Sequence, residues 1–154
     1  HRRRFDHILV DVPGKLDEES IVLLDEADVA LVPVMASPLD VRSAMTWSKN
    51  VLAAVLRRHP GRPAVRFVIN RLDMRTNAAK EVLEFARRMN PPAAASRIRR
   101  LAEFVNAADR SSVMRMGYSA RKERTDCQKL SREITKLGEK IPRKERARRK
   151  ATNE

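Results

Sequence analysis

Asp11 closes a short apolar run, "FDHILVDVPG" over 5–14, and is followed at once by Val12, Pro13 and Gly14. A carboxylate at the tip of a buried strand can hold a magnesium ion through water, while a glycine amide beside it can approach a terminal phosphate. Aspartate also opens ordinary turns, so the motif takes its meaning from what accompanies it. A second polar group, Asn70-Arg71-Leu72-Asp73, follows another apolar run. The asparagine side chain can both donate to and accept from a purine edge. No glycine-rich phosphate loop lies ahead of Asp11, which has only ten residues before it. Gly14-Lys15 does not replace that loop, because it follows the acid instead of opening a helix after a first strand. Other chemistry is sparse. Cys127 is the single cysteine, which excludes an internal disulfide and a multi-cysteine metal site. His1, His7 and His59 have no ligand spacing.

Three strands are expected to carry these groups: Phe5 with Ile8–Val10, then Val29–Val34, then Val65–Ile69. Each is a short, β-branched run bounded by turn residues, suited to burial on both faces. Helices are expected between and after them. One covers 18–25. A second starts at the N-cap Asp40 and ends at Pro60-Gly61, with Val41, Ala44, Met45, Leu52, Val55 and Leu56 on its apolar face. A third runs over 78–89, with Val82, Leu83, Ala86 and Met89 inward. This order predicts βαβ units, hence an α/β fold with a parallel sheet and flanking helices. Such sheets bind ligands beyond the carboxyl ends of their strands. Asp11, the stretch "MASPLD" (35–40) and Asn70–Asp73 all fall on that rim. From Ser96 on the pattern weakens to a short strand leading into a helix or loop. A helix over 124–141 then carries Leu130, Ile134 and Leu137 on one face. Residues 1–138 read as part of one domain, and 139–154 as a basic, disordered tail.

The 42% hydrophobic content supports a core and argues against wholesale disorder. A net charge of +13 and a pI near 11.0 predict attraction to nucleic acid or an anionic surface. No run approaches the ~20 apolar residues of a membrane span, and no signal peptide is visible, so a cytoplasmic protein without membrane insertion is the simplest expectation. A first residue that is His rather than Met suggests that an N-terminal portion is excluded.

Two nucleotide readings compete on these residues. In GTPases the strand-end motif is Asn-Lys-x-Asp, with Asp11–Gly14 as Asp-x-x-Gly, but Arg71 stands where that pattern has lysine. The stretch "ADVALVPVMASPLDVRSA" (27–44), between "FDHILVDVPG" and "FVINRLDMRT" (67–76), resembles the ParA/MinD-type partition ATPases, a family of deviant P-loop NTPases. The likeness in order and spacing covers roughly residues 4–90, and "PVMASPLD" is its most specific part.

The resemblance implies the C-terminal portion of a Rossmann-like P-loop ATPase, lacking its P-loop, from a protein that binds ATP and Mg2+. Such a protein forms an ATP-dependent homodimer, answers to an adaptor or stimulating protein, and partitions a plasmid or chromosome or positions a division site. Asp11 would be the catalytic, metal-organising acid. Pro13 and Gly14 would belong to its switch loop, and Asn70 would touch the adenine with Arg71 beside it. Ser37, Pro38 and Asp40 would shape the loop facing the nucleotide and the partner subunit. The family also implies non-specific DNA binding on the nucleoid, for which Arg97, Arg99, Arg100, Arg121, Lys122 and Arg124 are the candidates here. Without the loop, the chain alone is expected to be inactive as an ATPase. A non-catalytic, basic nucleic-acid-binding module is the alternative, and a GTPase fragment the third.

Overall fold

A computed structural model describes residues 5, 7–12, 18–58, 62–108, 112–116 and 118–141. Helix α1 (Glu18–Glu26) leads into strand β1 (Val29–Met35). Helix α2 (Pro38–Trp47), a π turn at Ser48–Leu52 and helix α3 (Ala53–Arg58) then return the chain to strand β2 (Ala64–Asn70). Helix α4 (Asn77–Ala86), helix α5 (Ala102–Ala108) and the 19-residue helix α6 (Arg121–Glu139) follow.

The two strands pair in parallel, from Val29 opposite Ala64 to Met35 opposite Asn70. Parallel neighbours need a long crossover, and α2–α3 supplies it. The fold class is therefore the expected α/β, with a parallel sheet and flanking helices. Residues 92–100 run along the far side of β2. Phe67 N–H donates to the Pro92 carbonyl at 3.2 Å, Ala94 N–H to Phe67 at 2.8 Å and Ile98 N–H to Ile69 at 3.0 Å. Leu72 N–H then donates to Ile98 at 3.1 Å, and Arg100 N–H to Leu72 at 3.0 Å.

Side chains alternate across a strand, so Val65, Phe67 and Ile69 share one face with their partners Ala30, Val32 and Val34. That face carries the core. Val41 from α2 and Ala79 and Val82 from α4 pack on it near the carboxyl ends of the strands. Leu24, Leu52 and Leu56 pack on it near the amino ends. The inward residues read from helical periodicity at 41–56 and 82–89 are all buried or half-buried. Arg66 and Val68 point to the opposite face. Helix α6 packs there against β1, and its Glu133 feels the charge of Arg66.

Pro33 sits mid-strand without cost. The β2-facing carbonyl of Asp28 and N–H of Ala36 are bonded to Ala64 and Asn70, so even positions of β1 face β2 and odd ones face away. The N–H that Pro33 lacks lies on the outer edge, where a strand proline is tolerated.

One expectation fails. Phe5 and Ile8–Val10 form no strand: residues 7–12 are irregular, Leu9 is 95% exposed, and the sheet has two strands among the described residues. An apolar, β-branched run becomes a strand only where a neighbour takes its backbone groups, and neither β1 nor β2 pairs with this one. The late short strand is replaced by the bonded segment 92–100, followed by α5. Helix α6 begins three residues earlier than the spacing suggests, and Ile141 beyond it is buried. Residues 142–154, most of the expected tail, lie outside the described residues.

Candidate functional site

The carboxyl ends of β1 and β2 meet through the pair Met35–Asn70, tied by Ala36 N–H donating to the Asn70 carbonyl at 3.1 Å. Two loops rise from this rim. The first turns at Ser37, which N-caps α2. Its Oγ accepts the Asp40 N–H at 3.1 Å and donates to the Asp40 carboxylate, while Pro38 takes the first helical turn, where a missing N–H costs nothing. The helix thus starts at Pro38, and the N-cap is Ser37 rather than Asp40. Asp40 acts from within the first turn, where a negative charge suits the helix dipole.

The second loop starts at Asn70, whose side-chain carbonyl accepts the Arg71 N–H at 2.9 Å. Arg71 has φ +55°, in the left-handed region that favours glycine. The Asn70 oxygen thus serves the bend, and its NH2 group is the donor end of the side chain. Arg71 is exposed. The loop is then stiffened by Asp73, which accepts the Arg75 N–H at 3.1 Å and both Nε and Nη2 of Arg75 at 3.0 and 2.8 Å. Thr76 closes it, donating to the Asp73 carbonyl at 3.0 Å and capping α4 through the Ala79 N–H at 3.2 Å.

The Arg75 guanidinium and backbone N–H hold the Asp73 carboxyl at about 2, against an ordinary 3.8. A carboxyl with a depressed pKa adds stability above its unfolded value and loses it as the pH falls through the folded one. The loop should therefore keep its ion pair at pH 3 and lose it near 2. An NMR titration of the Asp73 carboxyl carbon should give a midpoint near 2, and Arg75→Ala should return it toward 3.8. A wild-type midpoint close to the ordinary value would contradict this pairing.

Ser37, Pro38, Asp40, Asn70 and Arg71 thus gather on one rim, and Arg100 adds a positive charge near Asp73. Asp11 lies on the irregular segment 7–12 and is exposed; no hydrogen bond ties it to the rim among the described residues. Pro13 and Gly14 lie outside the described residues.

The basic candidates divide by environment. Arg97, Arg100, Arg121 and Lys122 are exposed. Arg99 is turned inward, where Nε and Nη2 grip the Asp126 carboxylate at 2.9 and 2.8 Å and Nη2 donates to the Lys122 carbonyl at 3.3 Å. Arg124 is half-buried and donates to the Met116 carbonyl. Burial first, and then the Asp126 charge, push the Cys127 thiol up, which disfavours its thiolate.

Two α6 acids escaped the sequence reading. Glu133 accepts the N–H groups of Ala95 and Ser96, both at 2.8 Å, and Asp126 accepts the N–H of Arg99 at 3.1 Å. Burial raises the Glu133 carboxyl, but the Ser96 and Ala95 amides outweigh it and hold the group below its ordinary value. The signal was present in principle: Asp126 and Glu133 lie seven residues apart, on the same side of the helix as Leu130 and Leu137.

No family model matches the chain. It is 27% identical over 131 residues to the maintenance of carboxysome distribution protein A of Halothiobacillus neapolitanus, an alignment covering 84% of this chain and 60% of that protein. The chain thus spans about 60% of the length of the curated relative it matches. This distant likeness supports a ParA-like family at a coarse level. No helix among the described residues is long and apolar enough to cross a membrane.

Proposed function

We propose that the chain is the C-terminal portion of a ParA-type positioning ATPase and contributes the base-binding half of its nucleotide site. The observation that supports this reading is the convergence at the carboxyl ends of two parallel strands. Asn70 and the α2 cap are braced there by Ser37, Asp40, Asp73 and Thr76, in the crevice where open α/β sheets take ligands. Asn70 is the adenine-facing group, with its NH2 as the donor while its oxygen also accepts the Arg71 N–H. Arg71 stands beside it, Asp11 is the metal- and water-organising acid, and Pro13 and Gly14 belong to its loop. The cofactors of the intact protein are ATP and Mg2+. It dimerises on ATP in the cytoplasm, answers to an adaptor or stimulating protein, and holds DNA without reading sequence.

The phosphate-binding loop is not among these 154 residues. Its backbone amides and lysines carry most of the affinity for a triphosphate, so it must come from polypeptide outside them. The 154-residue chain should therefore show no magnesium-dependent ATP turnover above a protein-free blank. Polypeptide that also carries a glycine- and lysine-bearing loop should hydrolyse ATP and lose that activity with Asp11→Ala. Clear turnover by the 154 residues alone, abolished by Asp11→Ala, would sink the half-site reading. Turnover indifferent to Asp11 in the loop-bearing polypeptide would sink the role of that acid.

A further inference from the structure

Helix α6 sorts its charges by face. Its acids at 123, 126 and 133 turn inward: Glu123 and Asp126 are 3% and 5% exposed, and Glu133 is bound to backbone amides, while the fourth, Glu139 at the helix end, is exposed. Lys122, Lys129, Arg132 and Lys136 on the helix, with Lys140 immediately after it, are all exposed. At 100° per residue they fall within a sector of about 80°, and at 1.5 Å per residue they extend over about 27 Å. Thr125, on the same sector, is uncharged, and the one exposed acid of the helix, Glu139, lies about 20° outside the sector, at its carboxyl end. Other exposed helical surface differs. On α4 and the turn after it, Lys80, Glu81, Glu84, Arg87 and Arg88 mix the two signs, and Arg87 pairs with Glu84 at 2.8 Å.

We propose that this outward row of α6 is the surface on which the protein holds the phosphate backbone of duplex nucleic acid. A straight row of cations, with one exposed acid only at its carboxyl end, complements a regular row of anions. Four of the five are lysines, point charges without the planar fork that reads a guanine edge, so contact is to backbone and independent of sequence. The helix has no aromatic side chain on which a single-stranded base could stack. The row also lacks the bulky apolar residues with which an interfacial helix enters a bilayer.

The inward acids have a part in this. By taking the edge amides and the Arg99 guanidinium, they fasten the helix and remove the negative charge that would otherwise mask the row. Arg99, drawn into that fastening, and half-buried Arg124, which donates to the Met116 carbonyl, do not touch the polyanion; Lys129, Arg132 and Lys136 take their place. The proposal deepens the DNA partnership of the preceding reading.

The test is fluorescence anisotropy of the 154-residue chain with two unrelated 24-base-pair duplexes. Both should bind alike, and neutralising about five phosphates should weaken binding by about 10^2–10^3-fold between 50 and 200 mM salt. The triple reversal K129E/R132E/K136E should lose binding by at least tenfold at 50 mM salt with helix content unchanged by circular dichroism. The reversal K80E/R87E/R88E on α4 and the turn after it makes the same change in net charge and should cost several-fold less. Equal losses in the two variants, or unchanged binding in the α6 variant, would overturn the α6 surface while leaving DNA binding intact. Absence of duplex binding by the wild-type chain at 50 mM salt would overturn the partnership itself, as would tighter binding to phosphatidylserine vesicles than to duplex. Neither result bears on the nucleotide half-site.

Discussion

Phe67→Ala should lower the unfolding free energy by about 3–5 kcal/mol, the usual cost of emptying a fully buried aromatic site. Phe67 is 0% exposed on the central strand, with Val41, Val82 and Met89 in the same core cluster. Its backbone also bonds to both Pro92 and Ala94, so collapse around a cavity would have to disturb the edge segment. Whole domains retain about 5–15 kcal/mol, and the variant should therefore show a urea midpoint reduced by a large fraction. Phe67→Leu, which keeps most of the volume, should lose clearly less. A cost for Phe67→Ala below about 1 kcal/mol would mean that β2 is not the centre of the core.

The second large effect is an asymmetry. The Asp126 side chain is 7% exposed and that of Arg99 36%. Arg99→Met strands a buried carboxylate whose remaining partner is the Arg99 N–H, and should cost about 3 kcal/mol. Asp126→Asn keeps an acceptor for that N–H and leaves a guanidinium free to turn toward water, so about 1–2 kcal/mol is expected. The double variant should lose less than the sum of the two, since the partners are in contact. Urea denaturation of the three variants measures this; a larger loss for Asp126→Asn than for Arg99→Met would show that the stranded group is the cation. Glu133 adds a pH dependence of the same fastening. Its carboxyl lies below its ordinary 4.5, so its contribution is whole above that value and lost as the pH falls through its lower folded value.

The βαβ centre was legible because its patterns are local. Val29–Met35 is an apolar run and Ala64–Asn70 is one interrupted only by Arg66 before its terminal Asn70, and the residues from Val41 to Leu56 keep a helical repeat. The repeat survives a π turn at Ser48–Leu52, where Leu52 is still fully buried. The polar rim followed from topology alone, since parallel strands bring their carboxyl ends to one side. What failed depended on partners far along the chain. Ile8–Val10 have strand composition, but composition cannot supply a neighbour. Residues 90–96 read only as a helix stop because of Pro91, Pro92 and their small residues, and the short strand expected from Ser96 starts earlier: 92–100 is held extended by β2 and by acids more than 25 residues away. Arg99 looks like surface charge until α6 is placed over it, and Arg124 until the Met116 carbonyl is brought against it. Asn70 could be identified as a strand-end amide, but not as one whose oxygen is already committed.

Pro33 also restricts which strands can add to the sheet. The outer edge of β1 presents N–H groups at Val29, Leu31 and Met35, with none between the last two. An added strand must therefore leave one carbonyl unmatched there, or bulge past it. A regular ladder of the kind that propagates through aggregates finds a break in the middle of its template. A strand shaped to skip that position loses nothing.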